Sequence, residues 1–268
     1  MAFFYLLGNS SHSQMFGCVI QTETKTVVFD GGTTWDHPQL AAFLKEHAEN
    51  HVDAWFFTHP HHDHMGCFAE LRRAAPAITV DKIYHCFPSL ELLLKHGTRA
   101  DWEMALWEDI EKWDADYDVA RLSAGDRFSF DDVTVRVLRV FNPDITENFI
   151  NNSSAVFRIE NAKSSFLILG DLGIEGGEEV LKTVPLSLLE ADYTQMAHHG
   201  QNGVDRKFYE AVKPKKCIWP APAWLWENDA GGGPGTGPFQ TLQTRAWMAD
   251  LGVTEHFIEK DGTQKIPF

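Results

Sequence analysis

Residues 58–66 read Thr58-His59-Pro60-His61-His62-Asp63-His64-Met65-Gly66, a stretch with four histidines and an aspartate in the form H-x-H-x-D-H. In an extended chain, side chains at i and i+2 point the same way, so His59 and His61 can close on one cation. Asp63 and His64, at the turn into the next element, can face a second. Imidazole nitrogens and a carboxylate suit zinc, manganese or iron. A lone loop histidine is ordinarily solvated, and Asp63 alone reads as a helix N-cap; four imidazoles directly after a buried strand point instead to metal. Asp53 to Thr58 is a compact aromatic strand, and Met65 to Ala74 has helical spacing ended by Pro76, so the cluster sits in a strand-to-helix loop.

The other histidines sharpen the pattern. There are thirteen in the chain; His198 and His199 are adjacent, and none lies between His96 and His198. His199 ends the segment QMAHHG, where a glycine lets the backbone turn. Asp171 ends the apolar run FLILGD, and a carboxylate there must be paired, hydrogen-bonded or metal-bound, because an isolated buried charge is costly. Such an oxygen ligand can bridge cations roughly 3.5 to 4 Å apart. Asp30, ending VVFD before Gly31 and Gly32, suits an acceptor that fixes the tautomer of a metal-bound histidine, or a plain turn aspartate.

The chain has 268 residues with 23 basic and 38 acidic side chains, a net charge of −15. That balance argues against a nucleic-acid partner, since polyanion binding rests on clustered Lys and Arg. The apolar runs are strand-sized, so no membrane span is expected. Cys18, Cys67, Cys86 and Cys217 are scattered, which suits free thiols and a cytoplasmic location. Short strands alternate with helices in two similar halves without a linker, predicting one domain over 1–268. A helical insertion at about 88–118 carries a stripe of Leu90, Leu93, Leu94, Trp102, Leu106, Ile110 and Trp113, interrupted at Gly97. This reads as a packed αα-hairpin, against its own domain or a second subunit of a homo-oligomer, in preference to an insertion that contacts substrate. Further strands are expected at Ile78 to His85 and Ala191 to Ala197, and the chain closes with a helix from Gln240 to Leu251 and a strand from Thr254 to Glu259.

In these segments the sequence resembles the metallo-β-lactamase superfamily: VFDGG resembles its first motif, THPHHDHMG its second, FLILGDLG its fourth and AHHG its fifth. The resemblance implies an α/β fold, a four-layer αββα sandwich. INNSSAVFRI before FLILGD, and ADYTQMAHHG before QNG, are more similar to the lactamase-like domains of bacterial DNA-uptake proteins and phosphorylcholine esterases, which would imply phosphodiester chemistry. The third-motif histidine is missing, and Asn151, Asn152 and Ser153 stand in its place. The resemblance then assigns the first cation to His59, His61 and Asp171, with Asn152 as a weak oxygen ligand, and implies weaker binding there, or manganese rather than zinc. It assigns the second to Asp63, His64, Asp171 and His199. His198 is the alternative to His199, which its position before glycine favours.

The expected function is a metal-dependent hydrolase using a metal-bound hydroxide on a small-molecule substrate, a phosphodiester first. Its cofactors would be two divalent metal ions, zinc or manganese, with iron as an alternative. Asp63, His198 and Asp30 are the candidate catalytic residues, with His198, His62 and His12 able to protonate a leaving group. Trp224 and Trp226 precede the glycine-rich stretch GGGPGTGP at 231–238, which lacks the Gly-Lys-Ser/Thr of a phosphate loop. They read either as walls of a lidded pocket, contacting substrate with Asn152, or as anchors of a surface loop. A lactone, thioester or amide hydrolase would use the same residues. A non-hydrolytic metal-binding or iron redox protein is the rival of another class; the Asp63-His64 pair speaks for hydrolysis.

Overall fold

The computed structural model describes residues 2–74, 78–97 and 100–268. Their strands form two seven-stranded sheets. The first runs in the order Gln264–Pro267, Phe3–Leu6, Gly17–Gln21, Thr26–Asp30, Ala54–Phe56, Ile83–His85 and Val119–Arg121. The second runs Glu255–Ile258, Lys216–Trp219, Tyr193–Gln195, Ser165–Ile168, Val156–Glu160, Val133–Arg139 and Arg127–Phe130.

Strand alternation builds the layers. Val27, Phe29, Ala54 and Phe56 point to the space between the sheets, where Phe4 stacks on Phe166 at 4.4 Å and Phe29 meets Phe157 edge-on at 5.2 Å. Their neighbours Val28, Trp55 and Phe57 point outward, under the helices His37–Ala48 and His62–Ala74. The second sheet is likewise covered on its outer face by helices that include Arg206–Val212 and Thr241–Asp250. Both faces of each sheet are therefore apolar, and the result is the helix–sheet–sheet–helix sandwich.

Several local expectations change. The helix after the histidine loop starts at His62, not Met65, because the His61 carbonyl already accepts from His64 N and Met65 N, so Asp63 and His64 lie in its first turn. The strand expected at Ile78 to His85 divides into Thr79–Val80, paired with His51–Val52 in a small separate sheet, and Ile83–His85. Gln264–Pro267 is an additional strand that pairs with Phe3–Leu6. The insertion contains the helices Leu90–His96, Asp101–Ile110 and Trp113–Asp116. It packs on its own chain: Leu93 and Trp107 meet Phe149 and Ile150, while Leu106 and Trp113 join the apolar layer under the first sheet. Pro76 and the side chain of Trp102 lie outside the described residues.

Candidate metal centre

The strands Thr26–Asp30 and Ala54–Phe56 are parallel neighbours, as are Ser165–Ile168 and Tyr193–Gln195. Asp30, the histidine loop, Asp171 and His198-His199 all follow the carboxyl ends of these strands, where open parallel sheets place their sites. Gly170 makes the close approach possible: its φ is +56°, and a Cβ there would sit 2.8 Å from both Ser154 Oγ and Thr58 Cβ.

At this edge two groups of side chains share one carboxylate. His59, His61 and Asp171 form the first, Asp63, His64, Asp171 and His199 the second, each with its donor atoms within 4.8 Å of one another. His59 Nε2 is 3.0 Å from His61 Nδ1 and 3.7 Å from Asp171 Oδ2. His64 Nε2 lies 3.1 Å from Asp171 Oδ1, and His199 Nε2 lies 3.2 Å from Asp63 Oδ2 and 3.4 Å from Asp171 Oδ2.

The opposite ring nitrogens are held from behind. Thr58 Oγ1 donates its proton to Asp30 Oδ2 at 2.7 Å and so accepts from His59 Nδ1 at 3.1 Å. Asp30 Oδ2 also accepts from His64 Nδ1 at 2.8 Å, and the Pro220 carbonyl from His199 Nδ1 at 2.8 Å. His61 is turned the other way, with Nε2 3.9 Å from the Glu103 carboxylate. The Thr58, Asp30 and Pro220 partners fix which nitrogen of His59, His64 and His199 carries a proton and leave the inward lone pairs available to a cation.

The inward atoms themselves are orphans. His64 Nε2, His199 Nε2 and both Asp171 oxygens are buried, and none finds a hydrogen-bond partner among the described residues. Buried polar atoms left in this way are destabilising unless something else binds them. Nitrogen and carboxylate donors converging without partners fit divalent cations.

Electrostatics agree with that fit. Burial opposes charging of His64, but Asp171 and Asp30 outweigh it and hold its pKa up at about 10. Burial likewise opposes protonation of His199, and Asp171 and Asp63 overcome it. Burial pushes His61 down to about 4 and, helped by His64, keeps His59 low. Asp171 stays well below the usual carboxylate range: burial works against its charge, but His64, His199, His198 and His59 surround it. Protons on His64 and His199 thus occupy, in the metal-free protein, places where a cation would supply the same positive charge.

Comparison with known proteins meets this geometry. The description of the metallo-β-lactamase superfamily matches residues 18–217. The chain belongs to this superfamily. ComE operon protein 3 of Bacillus subtilis (strain 168) is 28% identical over 183 residues, 67% of this chain and 21% of that protein, so the chain spans about a fifth of its length. The metallo-β-lactamase fold protein YhfI from Bacillus subtilis superposes with a TM-score of 0.58 at 13% identity, covering 99% of this chain and 100% of that one. A diphosphatase from the PhnP family gives 0.55 at 14%, covering 100% and 98%. At such identities the solved structures speak for the metallo-β-lactamase fold and no more.

Within this metallo-β-lactamase fold, the sequence-derived residues divide. His59, His61, Asp63, His64, Asp171 and His199 come together. Asp30 stands behind His64, acting through it. His198 and His199 do not point apart, as a continued strand would require. The strand ends at Gln195, both histidines are left-handed with φ of 52° and 57°, and His198 Nε2 also approaches Asp171 Oδ2, at 3.8 Å. Asn152 does not serve as an oxygen ligand: its Oδ1 accepts from Gly173 N and Gly176 N, and its Nδ2 donates to the Glu147 carbonyl and to Glu175. It caps the helix Ile174–Thr183 instead. Trp226 faces away from the centre, edge-on to Trp219 at 5.2 Å with the Arg245 guanidinium 3.9 Å from its ring. Trp224 packs on Phe239 and donates to the His12 carbonyl. The loop 231–238 is tied down by Asp229, which accepts from Gly231 N and Gly233 N; Trp226 packs on the body of the domain, and Trp224 joins this loop to the segment of His12.

Three residues escaped the sequence. Glu103 is buried beside His61, and its spacing from Leu106, Trp107 and Ile110 put a carboxylate on an apolar helix face, a readable signal. Gln14 donates to Asp63 Oδ2 at 3.0 Å and accepts from Gln201 at 2.8 Å, bridging the two halves. Glu259, buried at the end of a strand like Asp30 and Asp171, is pushed well above the usual carboxylate range by burial despite the opposing influence of His199.

Proposed function

We propose that this chain is a metal-dependent hydrolase of small phosphodiesters that holds two divalent cations, zinc or manganese. The observation carrying this reading is the pair of donor groups that share Asp171, with their inward atoms buried and unpartnered. His59, His61 and Asp171 would hold one cation, and Asp63, His64, Asp171 and His199 the other. Such cations activate water at neutral pH and neutralise charge developing on a phosphoryl group.

The protein's own groups do the rest. Asp30 orients His64, Thr58 links Asp30 to His59, Glu103 faces the back of His61, and Gln14 fixes the Asp63 carboxylate. His198 remains 18% exposed while its Nδ1 is buried without a hydrogen bond among the described residues, so it stands at the rim of the centre. From there it would pass a proton to the departing oxygen. A phosphodiester is favoured over an acyl substrate by the motif style shared with the lactamase-like domains of DNA-uptake proteins and phosphorylcholine esterases. The charge of −15 favours a small diester over a long polyanion.

Residues 1–268 would form one domain, since Phe3–Leu6 and Gln264–Pro267, from the two ends of the chain, are neighbours in one sheet. A cytoplasmic location is supported by four free, buried cysteines. No helix among the described residues is long and apolar enough to cross a membrane.

The test is hydrolysis of a chromogenic bis-aryl phosphodiester by metal-stripped protein as manganese or zinc is titrated in. Turnover should rise with metal and vanish when His59 and His61 are both replaced by alanine. Absence of turnover despite bound metal would shift the reaction to lactone, thioester or amide substrates. Tightly held iron with a redox-active spectrum would replace hydrolysis altogether.

A further inference from the structure

We infer that the cavity between Trp35 and the insertion is the binding site for a planar aromatic group of the substrate, an inference that rests on the hydrolytic reading above. The cavity has a volume of about 580 Å³, and its walls include Trp35, His62, Thr34, Ser13, Leu106 and Arg73. That size suits a single small-molecule moiety.

Continuity with the metal centre comes from the chain itself. His62 lies between His61 and Asp63, Ser13 precedes the Gln14 that donates to Asp63, and Leu106 is one helical turn from the Glu103 that faces His61. The cavity is therefore lined by His62, which adjoins His61 and Asp63 in the chain, by Ser13, which adjoins Gln14, and by Leu106, on the same helix as Glu103.

The walls select an aromatic occupant. Trp35 is 65% exposed, an unusual position for so large an apolar ring. It is nonetheless fixed: its ring meets His62 edge-on at 5.2 Å, and its amide donates to Thr33 Oγ1. His62 is held in turn by Thr34 Oγ1 at 3.0 Å. Beneath the turn, the buried Asp36 accepts from Thr33 N, Thr33 Oγ1, Ser10 N, Ser10 Oγ and Ser11 N, joining the loop after Phe3–Leu6 to the loop after Thr26–Asp30. A second cavity, of about 540 Å³, borders Trp35 along Ser11, His12 and Ser13. The indole is thus a standing wall rather than a core residue, pre-organised for stacking at little entropic loss. Arg73 adds a donor for an acceptor atom on the ring; its nearest carboxylate, Asp109 at 3.8 Å, is already shared with Arg72. The occupant is accordingly an aromatic ester group with acceptor atoms, such as a nitroaryl group or a nucleobase.

The experiment compares phenylphosphonate with methylphosphonate as competitive inhibitors of diester hydrolysis by the metal-loaded enzyme, in wild type, Trp35→Ala and Trp35→Phe. Wild type should prefer the phenyl compound by about tenfold or more; Trp35→Ala should bring that ratio near one, and Trp35→Phe should restore most of it. Inhibition by methylphosphonate should be the same in all three. An aryl preference that survives Trp35→Ala overturns the inference. If wild type hydrolyses no diester, the hydrolytic reading has failed separately. The same ratio is then read from equilibrium binding by tryptophan fluorescence, and an unchanged ratio there overturns the cavity's role as well.

Discussion

Asp30→Asn should weaken metal binding without unfolding the protein. The Asp30 carboxylate accepts from Thr58 N and Thr58 Oγ1, both at 2.7 Å, and from His64 Nδ1 at 2.8 Å. Asparagine keeps the shape and one acceptor, which stays on Thr58 N, but turns an amide NH₂ toward Thr58 Oγ1 and His64 Nδ1. His64 Nδ1 must then accept, which moves its proton to Nε2, the atom facing Asp171. The Thr58 hydroxyl must also accept from the amide, so its own proton turns toward His59 Nδ1 and disturbs that tautomer too. Partners behind metal ligands typically contribute about 10- to 100-fold in affinity, equivalent to about 1.4 to 2.7 kcal/mol. The assay is competition for zinc or manganese against a chromophoric chelator, with near-ultraviolet circular dichroism confirming native packing. A correctly folded Asp30→Asn protein that binds both cations as tightly as wild type would refute the reasoning.

Asn152→Ala should lower stability by about 1 to 2 kcal/mol through loss of its cap on Ile174–Thr183, read by urea denaturation, while metal content stays unchanged. A selective loss of one cation would instead return Asn152 to the ligand set. Glu103→Gln should weaken the cation held by His61 about tenfold in a two-step metal titration, with the other little altered. Metal affinity should climb with pH, because a cation must displace protons from His64, held at about 10, and from His199, held up by Asp171 and Asp63. Calorimetry in buffers of different ionisation enthalpy should show proton release at neutral pH. In metal-free protein the same His64 stabilises the fold fully below its ordinary value of 6.5 and loses that effect as pH rises through about 10, so the thermal midpoint should fall over that window. Chelation of the loaded protein should lower stability by about 2.7 kcal/mol for each site that was held at a hundredfold excess over Kd, and unchanged melting would count against cations that join the two halves.

The sandwich was legible because its strands bury both faces. In Thr26–Asp30, Val27 and Phe29 enter the layer between the sheets while Val28 enters the helix-covered layer, so the run is continuously apolar and short, as a central strand must be. What escaped depended on partners far away in the chain. Gln264–Pro267 is a brief strand of mixed polarity whose pairing with Phe3–Leu6 has no local signature. Ile78 to His85 reads as one strand until Asp81 and Lys82 are seen to divide it between two sheets. The start of the helix at His62 was hidden for another reason: histidines carry no apolar periodicity, so the first turn looked like loop.

The centre divides along the same physical line. His59, His61, Asp63 and His64 lie within one turn and a half of chain, where spacing alone fixes direction. Asp171 and His199 could be found because a charge or an imidazole ending an apolar strand demands a partner. Asn152 misled because its position in sequence, where the superfamily resemblance leaves a histidine missing, says nothing of the helix Ile174–Thr183 that its side chain caps. Trp226 misled because an aromatic beside a glycine-rich loop looks the same whether it faces a pocket or, as here, Trp219 and Arg245. Trp35 was passed over for the converse reason: a single indole in a turn has no periodicity to mark it, and only the exposure that the fold leaves it, beside His62, gives it meaning. Ligand identity is thus local information and ligand support is not. Thr58, Asp30 and the Pro220 carbonyl determine which nitrogen His59, His64 and His199 offer, and their own positions depend on strands and helices packing correctly. A disturbance of that packing would therefore be felt at the metal centre before it removed a single ligand.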